Sequence, residues 1–246
     1  SSYEAGGGIG IQLYNSLFLL VITLIISIPL SLGAGIYLSE YARKGRLTNF
    51  IRTCIEILSS LPSVVVGLFG YLIFVVQFQY GFSIISGALA LTVFNLPQMT
   101  RNVEDGLRNV HHTQREAGLA LGLSRWETVI HVVVPEALPS IVTGIVLASG
   151  RIFGEAAALI YTAGQSAPAL DWSNWNPLSV TSPISIFRQA ETLAVHIWKV
   201  NSEGTIPDAT QVSQGSAAVL LIFILIFNLS ARYIGRRLHA KLTSAN

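Results

Sequence analysis

The sequence predicts an all-α fold, a polytopic transmembrane helical bundle that makes one domain of residues 1–246. Three observations carry that expectation. Apolar residues make up 51% of the chain and charged residues only 11%, against roughly 25% charged in soluble domains, and mean hydropathy is +0.57. Five apolar stretches are long enough to cross hydrocarbon, which takes about 20 residues. The basic residues cluster between those stretches, where a membrane would place them. A net charge of +2 is too small to argue for a nucleic-acid partner. The single Cys54 has no partner for an internal disulfide and reads as a small buried hydrophobe.

The spans are expected near Leu13 to Leu38, Cys54 to Gln77, Ser83 to Thr100, Leu138 to Ala163 and Ala217 to Tyr233, the third being the shortest. Arg43, Lys44, Arg46 and Arg52 follow the first span, Arg101, Arg108, Arg115 and Arg125 follow the third, and Arg232, Arg236, Arg237 and Lys241 close the chain. These regions, the C-terminus included, are therefore expected in the cytoplasm, with residues 164–216 and Ser1 outside. A start at Ser1 with neither initiator Met nor signal sequence then reads as the remainder of a longer, six-span protein lacking its first span. Gly6, Gly7 and Gly8 read as a flexible outer loop, because no strand precedes them and no Gly-Lys-Ser/Thr follows.

In the first span Pro29, Gly33 and Gly35 favour a kink and close helix packing, and Glu40 beyond it reads as a solvated charge. In the second, Pro62 frees a carbonyl beside Ser59, Ser60 and Ser63; these hydroxyls either line a polar path or bond back to their own helix. After the third, Glu104 and Arg108 are spaced i, i+4 and steady an exposed helix. His111 and His112 lack further ligands at metal spacing and read as surface residues.

Between the third and fourth spans lies EAGLALGLSRWETVIHVVVPEALP, Glu116 to Pro139, a polar-headed insert. Thr113 with Glu116, and Ser124 with Glu127, are Ser/Thr-x-x-Glu helix starts. Gly122 falls between them, where a helix end favours positive φ. The expected structure is two short helices about a bend, the second interrupted at Pro135. Further on, Arg151 lies about 18 Å along the helix from Pro139, near mid-membrane, with Glu155 one turn later on the same face. Each charge would cost about 2.5 to 3.5 kcal/mol facing lipid, so both must face protein or water. Either they belong to a transport path, the arginine fork suiting an oxyanion, or they brace the bundle as an ion pair. Beyond them, Ile184, Phe187, Ala190, Ala194, Ile197 and Trp198 recur at helical spacing, with Arg188 and Lys199 elsewhere around the helix. An amphipathic helix at the interface is expected there.

Glu116-Ala117-Gly118, then Gly122, then Val132-Val133-Val134-Pro135 resembles the EAA loop of ABC-transporter permeases, with Gly118 in place of the usual second Ala. PSVVVGLFGY, from Pro62, and SGRIFGEAAALIYTAG, from Ser149, are similar to the PstA family of phosphate permeases. His111 and His112 depart from the Val-Pro pair common there. The resemblance covers nearly the whole chain apart from residues 165–208. It implies an ABC importer permease in which residues 101–137 form the cytoplasmic coupling loop and residues 164–216 an extracytoplasmic loop. Glu116, Ala117, Gly118 and Gly122 would couple to the ATPase, and Arg151, Glu155 and Ser63 would be substrate-pathway residues. It further implies a second permease subunit (PstC-like), two ATPase subunits (PstB-like), an extracytoplasmic phosphate-binding protein (PstS-like) and surrounding membrane lipid. No cofactor is expected on this chain: it has no Gly-x4-Gly-Lys-Ser/Thr, so ATP and Mg would sit on the partner ATPase.

The alternative within this class is a permease for sulfate or molybdate. An intramembrane enzyme would need a nucleophile and base at depth, whereas every His falls outside the expected spans and no Gly-x-Ser-x-Gly occurs. An ion channel offers no reason for the paired capping boxes, and retention of an ATPase on purification would separate it from a transporter.

Overall fold

The computed structural model describes residues 8–43, 45–203 and 207–243, the side chains of 203, 239 and 241–243 excepted. Gly6 and Gly7 of the expected outer loop, Lys44 and the Lys241 side chain lie outside the described residues. The described secondary structure is helical throughout. It comprises α1 (Gly10–Ile36), α2 (Arg46–Ser60), α3 (Ser63–Gly70), α4 (Ile84–Arg108), α5 (His112–Ala120), α6 (Arg125–Thr128), α7 (Val134–Phe153), α8 (Ala157–Ile160), α9 (Leu193–Glu203) and α10 (Ala209–Thr243). Wider i→i+5 turns extend α1 over Tyr37–Tyr41, extend α3 over Tyr71–Gln77, and join α6 to α7 over Val129–Val133.

Three helical runs among the described residues are long and apolar enough to span a membrane: Gly10–Tyr41, Arg125–Phe153 and Ala209–Leu238. The expected second span is not one helix. α2 stops at Ser60, Pro62 adopts φ −61, ψ 139, and the chain turns through 101° before α3. Pro62 brings no N–H and disfavours helix in the residue before it. The hydroxyls of Ser59 and Ser60 donate to the carbonyls of Glu56 (2.8 Å) and Ile57 (2.7 Å), so they satisfy their own helix end. Cys54, expected to be buried, is only half-buried on a helix with no buried residue. α4 runs past Thr100 to Arg108, and its charged second half keeps it from reading as a span by composition.

Two further expectations change. Pro135 does not stop a helix, because the wide turn before it has already shifted the bonding ladder, with Val134 N–H on Val129 O. The fourth span ends at Phe153 instead of reaching Ala163; residues 154–156 are non-helical and α8 is a separate short turn.

The chain divides into two compact units, and α1, α4, α7 and α10 contribute to both. In the first (1–26, 61–94, 149–225) small residues allow close packing: a Cβ on Gly67 would come within 2.7 Å of the Ala158 Cα, which brings α3 hard against α8. Residues 184–192, expected to begin an amphipathic helix, are irregular, and helix forms only from Leu193. Their carbonyls are used elsewhere: Ile84 and Ile85, at the start of α4, donate to Arg188 O (3.0 Å) and Ile186 O (2.9 Å). A buried helix start needs such acceptors.

Arg188, expected on the polar face, is 1% exposed; its Nη1 donates to Asn15 Oδ1 at 2.8 Å and its Nη2 to Pro183 O at 3.3 Å. Burial pushes its pKa down, with Tyr14 acting the other way. Glu191, also buried, accepts from Gln12 Nε2 at 3.2 Å and lies 3.2 Å from His196 and 3.9 Å from Lys199. These bonds pin the irregular segment to the start of α1.

The second unit (27–60, 95–148, 226–246) has its own core of Val103, Leu107, Val110, Val133, Ala137 and Ile141, flanked by Leu32 and Ile36. Gly35 meets this core so closely that a Cβ there would lie 2.5 Å from Val103 Cγ1. Each fully buried aliphatic side chain contributes about 1.5 to 3 kcal/mol, and this core is the platform under the loop of α5 and α6.

Candidate functional site

The loop of the second unit is built from local signals first. α5 ends at Ala120, and Leu121, Gly122 and Leu123 donate in turn to the carbonyls of Ala117, Leu119 and Gly118. Gly122 takes φ +85°, a conformation that L side chains adopt at a cost. Ser124 then starts α6 with a complete capping box: Glu127 N–H donates to Ser124 Oγ at 3.3 Å and Ser124 N–H to Glu127 Oε2 at 2.8 Å. The first expected box does not form. α5 begins at His112 with no side-chain cap, and Glu116 turns to His112 Nδ1, 3.1 Å away. Thr113 is already inside α5, two positions past the N-cap His111, so its hydroxyl is too late to cap it.

Gly118 packs against α6; a Cβ there would lie 2.8 Å from Thr128 Cγ2, so the two helices touch at this glycine. Outward, Leu119 (51% exposed), Leu121 (83%) and Trp126 (59%) form an apolar surface, with Glu116 also exposed. Inward, Arg115 reaches Glu40, with Nη2 at 2.8 Å from Oε1 and Nε at 3.2 Å from Oε2. It also donates to Leu107 O (2.7 Å) and Val110 O (2.6 Å), closing the end of α4. Arg125 donates to Glu40 O and stands over the Tyr41 ring at 5.1 Å. Glu40, read from sequence as solvated, is therefore buried and paired. Its partner is 75 residues away, so no local pattern announces it.

The pathway candidates lie in the first unit. Arg151 is in the last turn of α7, not in the middle of a long helix, and is exposed; its guanidinium carbon is 4.3 Å from the centre of the Phe94 ring. Glu155 lies beyond the helix end. Its Oε1 accepts from Ala158 N–H at 3.3 Å, helping to start α8, and among the described residues it makes no ion pair with Arg151. The helix break at 154–156 removes the one-turn spacing that would have aligned them. Ser63 is in the first turn of α3, half-buried, one turn before the Gly67 contact with Ala158. Ser63 and Glu155 thus each stand within about a turn of that contact, while Arg151 belongs to the end of α7.

Residues 27–244 match the family described as the binding-protein-dependent transport system inner membrane component. The chain belongs to that family. It is 57% identical, over 99% of its length and 83% of the relative's, to the probable ABC transporter permease protein YqgI of Bacillus subtilis. It is 37% identical to the phosphate transport system permease protein PstA of Yersinia pestis, over 94% of this chain and 73% of the other. Among solved structures, an inward-facing MetNI methionine ABC transporter shares the fold at a TM-score of 0.67 and 18% identity, covering 94% of each chain. As a member of this inner-membrane permease family, the protein is a transport subunit of an ABC importer and not an enzyme.

Sequence reasoning missed three features of this family member: the Glu40–Arg115 clamp, the burial of Arg188 and the break that isolates Arg151. The clamp and the buried Arg188 depend on partners far apart in sequence. The third has a signal in Gly154, three residues after Arg151, although the apolar stretch around it suits an uninterrupted helix.

Proposed function

We propose that this permease subunit serves an ATP-driven importer of inorganic phosphate. The observation that carries this reading is the similarity to phosphate permeases, 37% identical over 94% of the chain, joined to an exposed Arg151 with no carboxylate within ion-pair distance among the described residues. An unpaired guanidinium keeps its planar fork of donors free for an oxyanion. Arg151 acts as the pathway residue. Ser63 lies on the neighbouring packed pair α3 and α8, and Glu155 shapes the start of α8 while keeping its charge half-buried.

Residues 101–137 serve as the coupling loop on the cytoplasmic side, with 164–216 on the outer side. Glu116, Ala117, Gly118 and Gly122 set the bend whose exposed Leu119, Leu121 and Trp126 dock on a PstB-like ATPase, present in two copies. ATP and Mg bind there and not on this chain. A PstC-like second permease completes the path, and a PstS-like protein delivers phosphate from outside. Closure of the ATPases moves the loop as one body, because Arg115 and Arg125 both fasten it to Glu40.

The test is labelled-phosphate uptake in cells lacking this subunit, restored with wild type or Arg151→Gln, after confirming that both assemble with the ATPase. Wild type restores uptake without competition from sulfate or molybdate, and the variant assembles but does not transport. Normal transport by the variant removes Arg151 from the path. Movement of sulfate or molybdate by wild type changes the substrate.

A further inference from the structure

The second unit carries another pocket, at the corner where the chain leaves α1 and starts α2. It is a cavity of about 390 Å³ lined by Tyr37, Tyr41, Arg43, Arg46, Leu47 and Thr48. Arg43 and Arg46 are both exposed, and neither has a carboxylate within ion-pair distance among the described residues. Their neighbours differ: Arg52, Arg101, Arg108 and Arg115 are each paired with a glutamate. The corner itself is shaped, since Thr48 Oγ1 donates to Arg43 O at 2.7 Å.

α2 continues from this corner with two unlike faces. One holds Arg52, 2.6 Å from Glu104 of α4, and Glu56, 3.7 Å from Arg101. The other presents Leu47 (70% exposed), Phe50 (66%) and Ile57 (57%), with half-buried Cys54 between them. A helix tied down by its charges and apolar on its outer side, beginning at a basic and aromatic corner, has the composition of a segment that lies in the plane of an anionic leaflet. Free phosphate would account for the arginines but not for the adjoining apolar stripe or the tyrosines.

We propose that the corner lined by Tyr37, Arg43, Arg46 and Thr48 binds the headgroup phosphate of an anionic phospholipid, with the Leu47, Phe50, Ile57 stripe of α2 resting on that lipid's acyl chains. Arg43 and Arg46 supply the charge, and the exposed Tyr37 lines the corner beside them.

The experiment is native mass spectrometry of the protein extracted with its co-purifying subunits, titrated with phosphatidylglycerol or phosphatidylcholine. Wild type is expected to retain phosphatidylglycerol preferentially, and excess inorganic phosphate does not displace it. Each basic side chain near an anionic lipid is worth about fivefold, so Arg43→Gln/Arg46→Gln weakens phosphatidylglycerol binding about 25-fold. Arg43→Lys/Arg46→Lys retains most of it. Equal binding of the two lipids, unchanged affinity in the Gln pair, displacement by inorganic phosphate, or a subunit cross-linked over the corner overturns the proposal. If the Gln pair fails to fold, the wild-type lipid preference and the phosphate displacement decide it.

Discussion

Glu40 shows how one residue changes meaning between chain and fold. At the end of α1 its carboxylate takes both the Nε and Nη2 groups of Arg115, while its carbonyl takes Arg125. Removing one partner of a buried pair leaves the other charge uncompensated, which costs on the order of 3 kcal/mol. Arg115→Ala also strips the acceptors at the end of α4 of their donor. This variant is therefore expected to lower the unfolding midpoint clearly in detergent, measured by thermal scanning. Glu40→Gln/Arg115→Ala together should cost less than the sum of the single variants, because they remove the same interaction. Additive losses would mean that Glu40 and Arg115 act separately. Arg188 is a comparable case: a fully buried guanidinium held by Asn15 and a carbonyl, with Tyr14 and Phe18 rings about it at 5.9 and 6.0 Å.

At the scale of elements, the loop of α5 and α6 separates into a rigid scaffold and an outward surface. Gly122, at φ +85°, sets the bend, and an alanine there is expected to cost about 1 kcal/mol. Gly122→Ala should lower the unfolding free energy by that amount, read from chemical unfolding; no change would mean that the bend relaxes freely. Leu121, 83% exposed, contributes almost nothing to the fold. Leu121→Asp should leave the midpoint unchanged yet abolish the transport-linked ATPase activity of the assembled importer. Intact coupling in that variant would move the docking surface elsewhere. α2 follows the same logic, its ion-paired face packed and its apolar face outward.

For the whole molecule, two units with separate cores predict two separate regions of slow amide exchange. In one, Leu91, Leu159 and Leu193 are fully buried; in the other, Val103, Leu107 and Val133. Residues 170–181, where Trp172, Trp175, Leu178 and Val180 are all more than half exposed, should exchange fastest among the described residues. Exchange mass spectrometry reads both. Slow exchange throughout 170–181 would show that the segment is covered by something other than this chain.

The sequence alone determined the helical membrane class, the family and the bend between α5 and α6, because hydropathy, spacing and capping are local properties of the chain. Gly122 and the Ser124–Glu127 box could be read from a handful of residues, since a helix end needs positive φ and a helix start needs an acceptor whatever surrounds them. Tertiary structure decided which charges are buried and where apolar stretches stop being helix. Glu40 and Arg115, Arg188 and Asn15, and Ile84 and Arg188 each meet across 75 or more residues, and burial makes each partner necessary to the other. The break after Phe153 was decided in the same way. A 20-residue apolar run satisfies hydrocarbon equally well as one helix or two, and the packing of Gly67 on Ala158 belongs to the version with two.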